Sequence, residues 1–553
     1  MLRRVLNYQN KSTLGAAFIL AAASLVSRLF GLLRDRLLAS HFGASTELDI
    51  YYAAFRLPDF IYNILIVGAI SASFIPLFAE HFAKDKEKAW QYASNLLNFI
   101  LLGLTVLSVV LIVFARPIVS LIAPGFDARA FDLTVQLSRI MFLSPLLLGI
   151  SSIISGILQY FKRFFIYSLA PILYNIGIIL GIIFFLPPFG LKGLALGVAL
   201  GALFHFLIQL FLVRAVGFSW RPVLDIKDKS LWQTLTLMVS RTISSISSQI
   251  NIWVITALAS LLAAGSIAIF NLANNLSYLP IGIFGISLAV AVFPNLAKSE
   301  AEKNKEQFFS DFSQGFRLIF LITFPLSFIF YLLRAHIVRV VLGAGEFGWI
   351  DTRLTAASVG LFSLSIFAQS LIPFVARAFF AIKDTKTPTI LTIIFVITNI
   401  LLALVFMRIV TANSFLAAFL RIDDLKDIRV IALPLSFALA QILQFVLMLG
   451  WLKSKIKLPL KDIAQSAGKV ILATIVALPV TYLSLYGAAN FLKTDTLLGI
   501  LSEGLIGGLV GLSIYYFVMI LLGSPELKAV KAVISSKFFV KPPSVYTSEN
   551  GKF

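Results

Sequence analysis

Hydrophobic residues run along this chain in blocks of roughly 20, separated by short polar or Pro- and Gly-containing segments. A helix of about 20 apolar residues crosses a hydrocarbon core about 30 Å thick and satisfies its own backbone polar groups there. The pattern therefore predicts an all-α polytopic membrane protein with fourteen transmembrane helices. The predicted spans lie near residues 14–38, 47–79, 90–115, 131–158, 166–186, 190–214, 230–260, 266–297, 308–333, 353–380, 386–408, 428–452, 464–488 and 496–522.

Composition agrees with this reading, because 59% of the 553 residues are hydrophobic and only 13% are charged, against about 25% charged in a soluble protein. Lys and Arg are concentrated in alternate loops, such as "KDKEK" and "IKDTKTP", and this bias predicts that both termini are cytoplasmic. The basic N-terminus resembles the start of a signal peptide, but no small-residue cleavage site follows it. We therefore expect the first apolar segment to be retained as a span.

Several function classes are disfavoured. The chain has no cysteine, its four histidines lack metal-ligand spacing, and it has no phosphate-binding loop in a strand-to-helix context. The net charge of +20 is spread over alternate loops instead of forming one footprint, which argues against nucleic acid as a partner. We expect a protein that is not an enzyme and holds no cofactor.

An internal repeat appears at a shift of about 220 residues. It predicts two pseudo-symmetric six-helix lobes around a central cavity, at residues 1–215 and 216–455. Residues 456–523 would add two C-terminal helices, and residues 524–553 would form a polar cytoplasmic tail. Chance similarity between apolar segments is the alternative. The three matched pairs are "LAS" at 38–40 and 258–260, "VSLIAPGF" and "VVLGAGEF" at 119–126 and 340–347, and "FIPLFAE" and "VFPNLAK" at 74–80 and 292–298.

Charged side chains form a stripe on each of the first two spans. Charges facing lipid cost on the order of 2.5 to 3.5 kcal/mol each at the membrane centre, so these stripes should face water or each other. In the first span, the alternative is that Arg34, Asp35 and Arg36 lie at the interface; in the second, it is that Arg56 pairs with Asp49 or Asp35. The stripes consist of Ser24, Ser27, Arg28, Gly31, Arg34 and Asp35, and of Asp49, Arg56 and Asn63.

The chemistry of these stripes favours an anionic ligand. A guanidinium group stays charged and presents a planar set of donors that matches phosphate or carboxylate. A cation exporter would instead be expected to line its cavity with carboxylates. The sequence thus predicts a wet, arginine-lined cavity that lowers the barrier to moving a phosphorylated headgroup across hydrocarbon.

The stretches "SRLFGLLRDRLLASHFGASTELDIYYAAFRLPDF" and "GAISASFIPLFAE" resemble the MurJ (MviN) family of lipid II flippases in the multidrug/oligosaccharidyl-lipid/polysaccharide (MOP) exporter superfamily. The resemblance implies alternating-access transport of undecaprenyl-diphosphate-linked peptidoglycan precursor from the inner to the outer leaflet of the bacterial cytoplasmic membrane. Its partners would be lipid II, membrane lipids and the cell-wall synthesis machinery. By motif position it also implies substrate-binding roles for Arg28, Arg34, Asp35, Asp49 and Arg56.

The chain departs from the family pattern at several positions, which marks it as a divergent member. Tyr62, Asn63 and Val67 replace two arginines and a glutamate, and Asn274 and Asn275 replace an acid and an arginine. Asn63 and Asn275 remain candidate substrate-binding residues. The losses leave open a second substrate, another polyprenyl-diphosphate-linked glycan of the O-antigen or teichoic acid type. A non-transporting scaffold with the same fold is a third reading.

Two further expectations follow from the resemblance. Some family members bind sodium near the positions of Asp384 and Val396. Here Phe380 replaces an expected polar ligand, so we favour no metal site and a helix cap at Asp384, with sodium as the alternative. The last two spans would form a groove for the polyprenyl tail. Their glycines, Gly504, Gly507, Gly508 and Gly511, are equally suited to close helix packing.

Overall fold

The computed structural model describes residues 13–63, 70–411, 415–493 and 495–527. Predictions that concern residues 1–12, Val67 or the tail beyond 527 lie outside this part of the chain. The described residues form helices and no strands. The helices are α1 Thr13–Phe42, α2 Thr46–Tyr62, α3 Ile70–Lys84, α4 Lys86–Val113, α5 Ala115–Ile122, α6 Ala128–Tyr160, α7 Phe164–Phe189, α8 Leu191–Val213, α9 Lys229–Ser260, α10 Ser266–Ala301, α11 Lys305–Val341, α12 Trp349–Ser363, α13 Ile366–Ala381, α14 Lys386–Ile409, α15 Phe415–Leu420, α16 Ala432–Ile456, α17 Lys461–Ala489 and α18 Leu497–Leu521.

The structure confirms a multi-pass helical membrane protein. Ten helices of the described residues are long and apolar enough to cross a membrane, and the bent pair α12 and α13 would make an eleventh. The described residues of the predicted second span form α2 and α3, and residues 64–69 between them lie outside the described part of the chain. The number fourteen stays a prediction.

Most helix contacts lie within one or the other half of the chain. In the N-terminal part, α7 packs against α1 and α8, and α2 packs against α6. In the C-terminal part, α10 and α11 pack against α12, and α14 packs against α16. Helices α17 and α18 pack against each other and against α11, so the C-terminal pair is attached to the second part of the molecule.

The glycines of α18 lie at close helix contacts. A Cβ atom on Gly511 would overlap the Thr481 hydroxyl of α17, and one on Gly507 would lie 2.6 Å from Leu485 Cγ. Close packing therefore accounts for these two glycines, as one of the two readings of the sequence expected.

The segments matched by the internal repeat contact each other reciprocally where α1 ends and α2 begins; we call this the outer end, following the predicted topology. Ser40 accepts a hydrogen bond from Glu346 N at 2.9 Å, and Ser260 Oγ accepts one from Gly125 N at 3.1 Å. Each "LAS" segment thus binds the glycine-containing segment of the other half, whereas the two-lobe division stays a prediction.

Candidate functional site

Arg34 and Asp35 form the centre of the candidate site. Arg34 donates to Asp35 Oδ1 from Nε at 3.0 Å and from Nη2 at 2.8 Å. A third hydrogen bond of 3.1 Å runs from Arg34 Nη1 to Asn175 Oδ1 on α7. The guanidinium is thereby held on the side of α1 that faces protein, while Leu25, Leu29 and Leu33 of the same helix are exposed.

Asp35 connects the two parts of the molecule. Its carboxylate is buried, with 3% of the residue exposed, and its second oxygen accepts a 2.9 Å hydrogen bond from Asn275 Nδ2 on α10. Asn275 is one of the asparagines at which the sequence departs from the family pattern. The second half therefore offers Asp35 a neutral amide in place of a guanidinium.

A cavity of about 260 Å³ opens beside Arg34, between α1, α2, α6, α7 and α8. Its polar lining comes from Arg34, Asp59, Tyr62, Ser144 and His205, with further walls of Phe55, Pro58, Leu148, Pro171 and Tyr174. A concave site with an apolar wall and a few convergent polar groups is typical of ligand binding. Of the residues that the sequence predicts to bind substrate, Arg34 is the one that lines this cavity.

Arg56 reaches across to the second half of the molecule. Its Nε donates to Thr256 Oγ1 of α9 at 2.9 Å, and its Nη2 donates to Asn271 Oδ1 of α10. The alternative reading, a salt bridge from Arg56 to Asp49 or Asp35, is wrong, because the two hydrogen-bond partners are a hydroxyl and an amide. The carboxylate of Asp59, one turn further along α2, exerts a Coulombic attraction on the Arg56 guanidinium.

Arg28 also contacts α10. It lies 14 residues before the C-terminal end of α1, which is about 21 Å along the helix axis at 1.5 Å per residue. Its guanidinium lies over the Tyr278 ring at 5.7 Å and so close to Gly282 that a Cβ atom there would be 2.5 Å from Arg28 Cζ. Gly282 belongs to the π-turn Ile281–Ile286, which widens α10 at this level. Among the described residues, no carboxylate forms an ion pair with Arg28.

Asp49 and Asn63 lie apart from the Arg34 cluster. Asp49 accepts hydrogen bonds of 2.7 Å from Gly265 N and from Ala268 N, so it caps the N-terminus of α10. Asn63 donates to the Asp59 carbonyl oxygen of its own helix at 2.9 Å. A direct role of either residue in substrate binding stays a prediction.

The two residues of the predicted sodium site do not come together. Asp384 precedes α14, whereas Val396 lies ten residues inside it, about 15 Å along the helix axis. The oxygens of Asp384 accept from Thr387 N at 3.0 Å, from Thr387 Oγ1 at 2.6 Å and from Lys455 Nζ at 2.5 Å. Burial opposes ionisation, but these bonds outweigh it and lower the pKa of Asp384 to about 2. The geometry favours the helix-cap reading.

Sequence reasoning missed several residues that the structure places at the site. Asn175 is an amide in the apolar run "FFIYSLAPILYNIGIIL", and a polar side chain in such a run is itself a signal. Asp59 lies three residues after Arg56, so the spacing rule that identified the stripes could have found it. Thr256 and Asn271 gave no local signal, because their partner Arg56 lies 200 and 215 residues away from them in the chain.

Comparisons with known proteins point to one family. The family model described as "Lipid II flippase MurJ" matches residues 38–502. A relative from Borreliella burgdorferi, named "Probable lipid II flippase MurJ", is 30% identical over 389 residues, which is 70% of this chain and 76% of that protein.

Solved structures also resemble this one. "Lipid II flippase MurJ, inward closed conformation" is 25% identical, covers 92% of this chain and 100% of its own, and has a TM-score of 0.74. An inward-facing multidrug resistance MATE family transporter of the MOP superfamily is 15% identical, covers 78% and 94%, and has a TM-score of 0.63, which shows a shared fold. The chain therefore belongs to the MurJ family of lipid II flippases.

Proposed function

We propose that this protein moves lipid II from the inner to the outer leaflet by alternating access, with its cavity arginines holding the diphosphate. The observation that carries the proposal is the Arg34 guanidinium, which two elements hold at the cavity wall. Family membership supports the substrate, and the positive charge of the arginines supports a diphosphate as the group recognised.

The hydrogen bonds of the arginines leave donors for a ligand. A guanidinium has five N–H groups. Arg34 uses three of them on Asp35 and Asn175, which leaves two. Arg56 uses two on Thr256 and Asn271, which leaves three. A diphosphate in the cavity can accept from the two remaining groups of Arg34 without removing the partners that orient this side chain.

The contacts at the outer end support a resting state in which that end is closed. Reciprocal bonds join the two halves there, so substrate would enter from the opposite, cytoplasmic end. Binding of the diphosphate would then draw the halves together at that end. The inward-negative membrane potential would then drive the empty, net-positive cavity back to its inward-facing state. Each elementary charge that moves through 100 mV contributes about 2.3 kcal/mol to this return. Transport that is unaffected by membrane potential would refute this last step.

Asn275 favours a second candidate, an exporter of another polyprenyl-diphosphate-linked glycan. It places a neutral amide on the second half of the site, and so lowers the positive charge that meets the headgroup. Complementation separates the candidates: rescue of peptidoglycan synthesis in flippase-depleted cells supports lipid II. Failure to rescue, together with binding of a different polyprenyl-linked sugar by the purified protein, supports the second candidate.

The test of the site uses Arg34→Ala and Arg28→Ala in proteoliposomes that contain fluorescent lipid II. We expect flipping to fall at least tenfold in each variant, since each removes charge-assisted hydrogen bonds to the diphosphate. Arg129→Gln, at an exposed arginine of the outer end, is the matched control and should flip normally. Wild-type rates in the Arg34 and Arg28 variants would favour the non-transporting scaffold.

We also propose the full topology, with fourteen spans in two six-helix lobes, two C-terminal helices and both termini cytoplasmic. The chain has no cysteine, so single introduced cysteines report one position each. A cysteine at Lys227 should be labelled only from the cytoplasm, and one at Arg129 only from outside. The reverse pattern would show that the topology is inverted.

Sodium coupling stays a prediction. It is tested by measuring lipid II flipping in sodium-free buffer.

A further inference from the structure

A second cationic pocket lies at the outer end, outside the transport site. It has a volume of about 540 Å³ and is bounded by α11, α12, α17, α18 and the segment that follows α15. Four arginines line it: Arg334, Arg339, Arg353 and Arg421. We propose that this pocket binds the phosphate group of an anionic lipid in the outer leaflet.

The charges of the pocket are only partly neutralised. Arg353 forms an ion pair with Asp424, at 2.6 Å from Nη1 to Oδ2, and His336 Nε2 lies 3.2 Å from Glu503 Oε1. Within the part of the chain described, the other three arginines form no ion pair. Arg334 and Arg421 are near enough for their charges to repel each other. An anion bound between them would relieve that repulsion.

The side chain of Arg334 is held in place before any ligand arrives. Its guanidinium lies 4.6 Å from the centre of the Tyr331 ring and donates to the Tyr331 carbonyl oxygen at 2.9 Å. Its Cδ atom is so close to Gly360 of α12 that a Cβ there would lie 2.7 Å away. Arg339 lies over the Trp349 ring at 5.6 Å. Guanidinium groups fixed in this way lose little entropy when they bind phosphate.

The surroundings fit a lipid better than a free anion. Tyr482 and Tyr486 at the pocket edge are 51% and 68% exposed, and aromatic residues at this depth mark the interface between headgroups and acyl chains. Next to them, Leu483, Leu498 and Leu505 expose apolar side chains of α17 and α18. A phosphate in the pocket would leave its acyl chains on this apolar surface.

Binding of defined lipids to the purified full-length protein tests the proposal, by native mass spectrometry. We expect phosphatidylglycerol to bind at least tenfold more tightly than phosphatidylcholine. Arg334→Gln and Arg421→Gln should each reduce that preference about tenfold, the loss of one charge-assisted contact. Arg129→Gln should leave it unchanged. Arg421 is exposed and follows a helix, so its variant keeps the test valid if Arg334→Gln does not fold.

Two further arms identify the source of the phosphate. Tighter binding of undecaprenyl diphosphate than of phosphatidylglycerol, lost in Arg421→Gln, would assign the pocket to the lipid carrier; the reverse order would assign it to bulk phospholipid. Displacement of phosphatidylglycerol by equimolar inorganic phosphate would overturn the lipid assignment. Equal binding of the two phospholipids, or an unchanged preference in both variants, would overturn the site. Because flipping is not measured, these outcomes are independent of the proposed transport function.

Discussion

Gly125 at the outer end offers a direct test of how the two halves close. A Cβ atom on this residue would lie 2.5 Å from Ser260 C and 2.8 Å from Leu261 N, and closer still to the Ser260 carbonyl oxygen. All three are backbone atoms, so no side chain can rotate away. Gly125→Ala therefore requires the segment to retreat by about 1 Å, because non-bonded carbon contacts are comfortable only near 3.5 Å.

The cost of this overlap falls on the state in which the outer end is closed. Overpacking costs typically about 1–3 kcal/mol. If the outer end separates in the other state, the equilibrium between the states shifts by about 5- to 150-fold toward opening. The hydrogen bond from Gly125 N to Ser260 Oγ would be lost in the same step.

Spin-label distances measure the shift. The chain has no cysteine, so labels on Leu121→Cys and Ile350→Cys, both exposed side chains of the outer end, are the only ones present. We expect Gly125→Ala to populate longer distances. Gly348→Ala is the matched control, since nothing lies within 4 Å of its added Cβ. A distance distribution in Gly125→Ala that equals that of the parent would refute the reasoning.

Three other predictions concern stability, measured by thermal unfolding in detergent. Asp49→Ala should destabilise the protein by about 1–2 kcal/mol, because two capped N–H groups of α10 lose their acceptor. Asp49→Asn keeps one acceptor oxygen and should cost less. An equal loss of stability in both variants would contradict the cap. Asp384→Asn should cost less than about 1 kcal/mol, since its partner Lys455 is 46% exposed, and Lys455→Gln should add nothing to it. The pKa of Asp384 falls from 3.8 to about 2 on folding, so its contribution is complete at neutral pH and is lost only as the pH falls from about 4 through 2. Gly511→Leu should separate α18 from α17 by overlap with Thr481, whereas Gly487→Leu, with open space around it, should be tolerated.

The architecture was predictable from the sequence, because hydrophobic blocks of membrane length admit few other structures. The spacing of Arg28, Arg34 and Asp35 also predicted that one side of α1 avoids lipid, and the exposed leucines on its other side agree. Local patterns carry this information, since neighbours three and four residues apart share a helix face.

The partners of the stripe were not predictable in the same way. Asp49 reads as a cavity residue in the sequence, yet its oxygens accept from Gly265 and Ala268, more than 200 residues away. The π-turn in α10 likewise depends on packing that one segment does not encode. Shifted copies of the same segment identified which regions correspond, but not that each copy binds the other.

Helix α10 contacts the charged positions of α1 and α2 in sequence along its length. Its N-terminus holds Asp49, and further residues toward the membrane centre meet Arg56, Asp35 and Arg28 in turn; these are Asn271, Asn275 and Gly282. The contacts with Asp49, Arg56 and Asp35 lie on one continuous α-helical segment, Ser266–Pro280, so they would form or break together if this segment moved relative to α1 and α2. An anion that competed with Asn271 for the Arg56 guanidinium would therefore act on the helix whose N-terminus Asp49 holds at the outer end. This shared element is a physical route by which ligand binding at the arginines would bias which end of the protein is open.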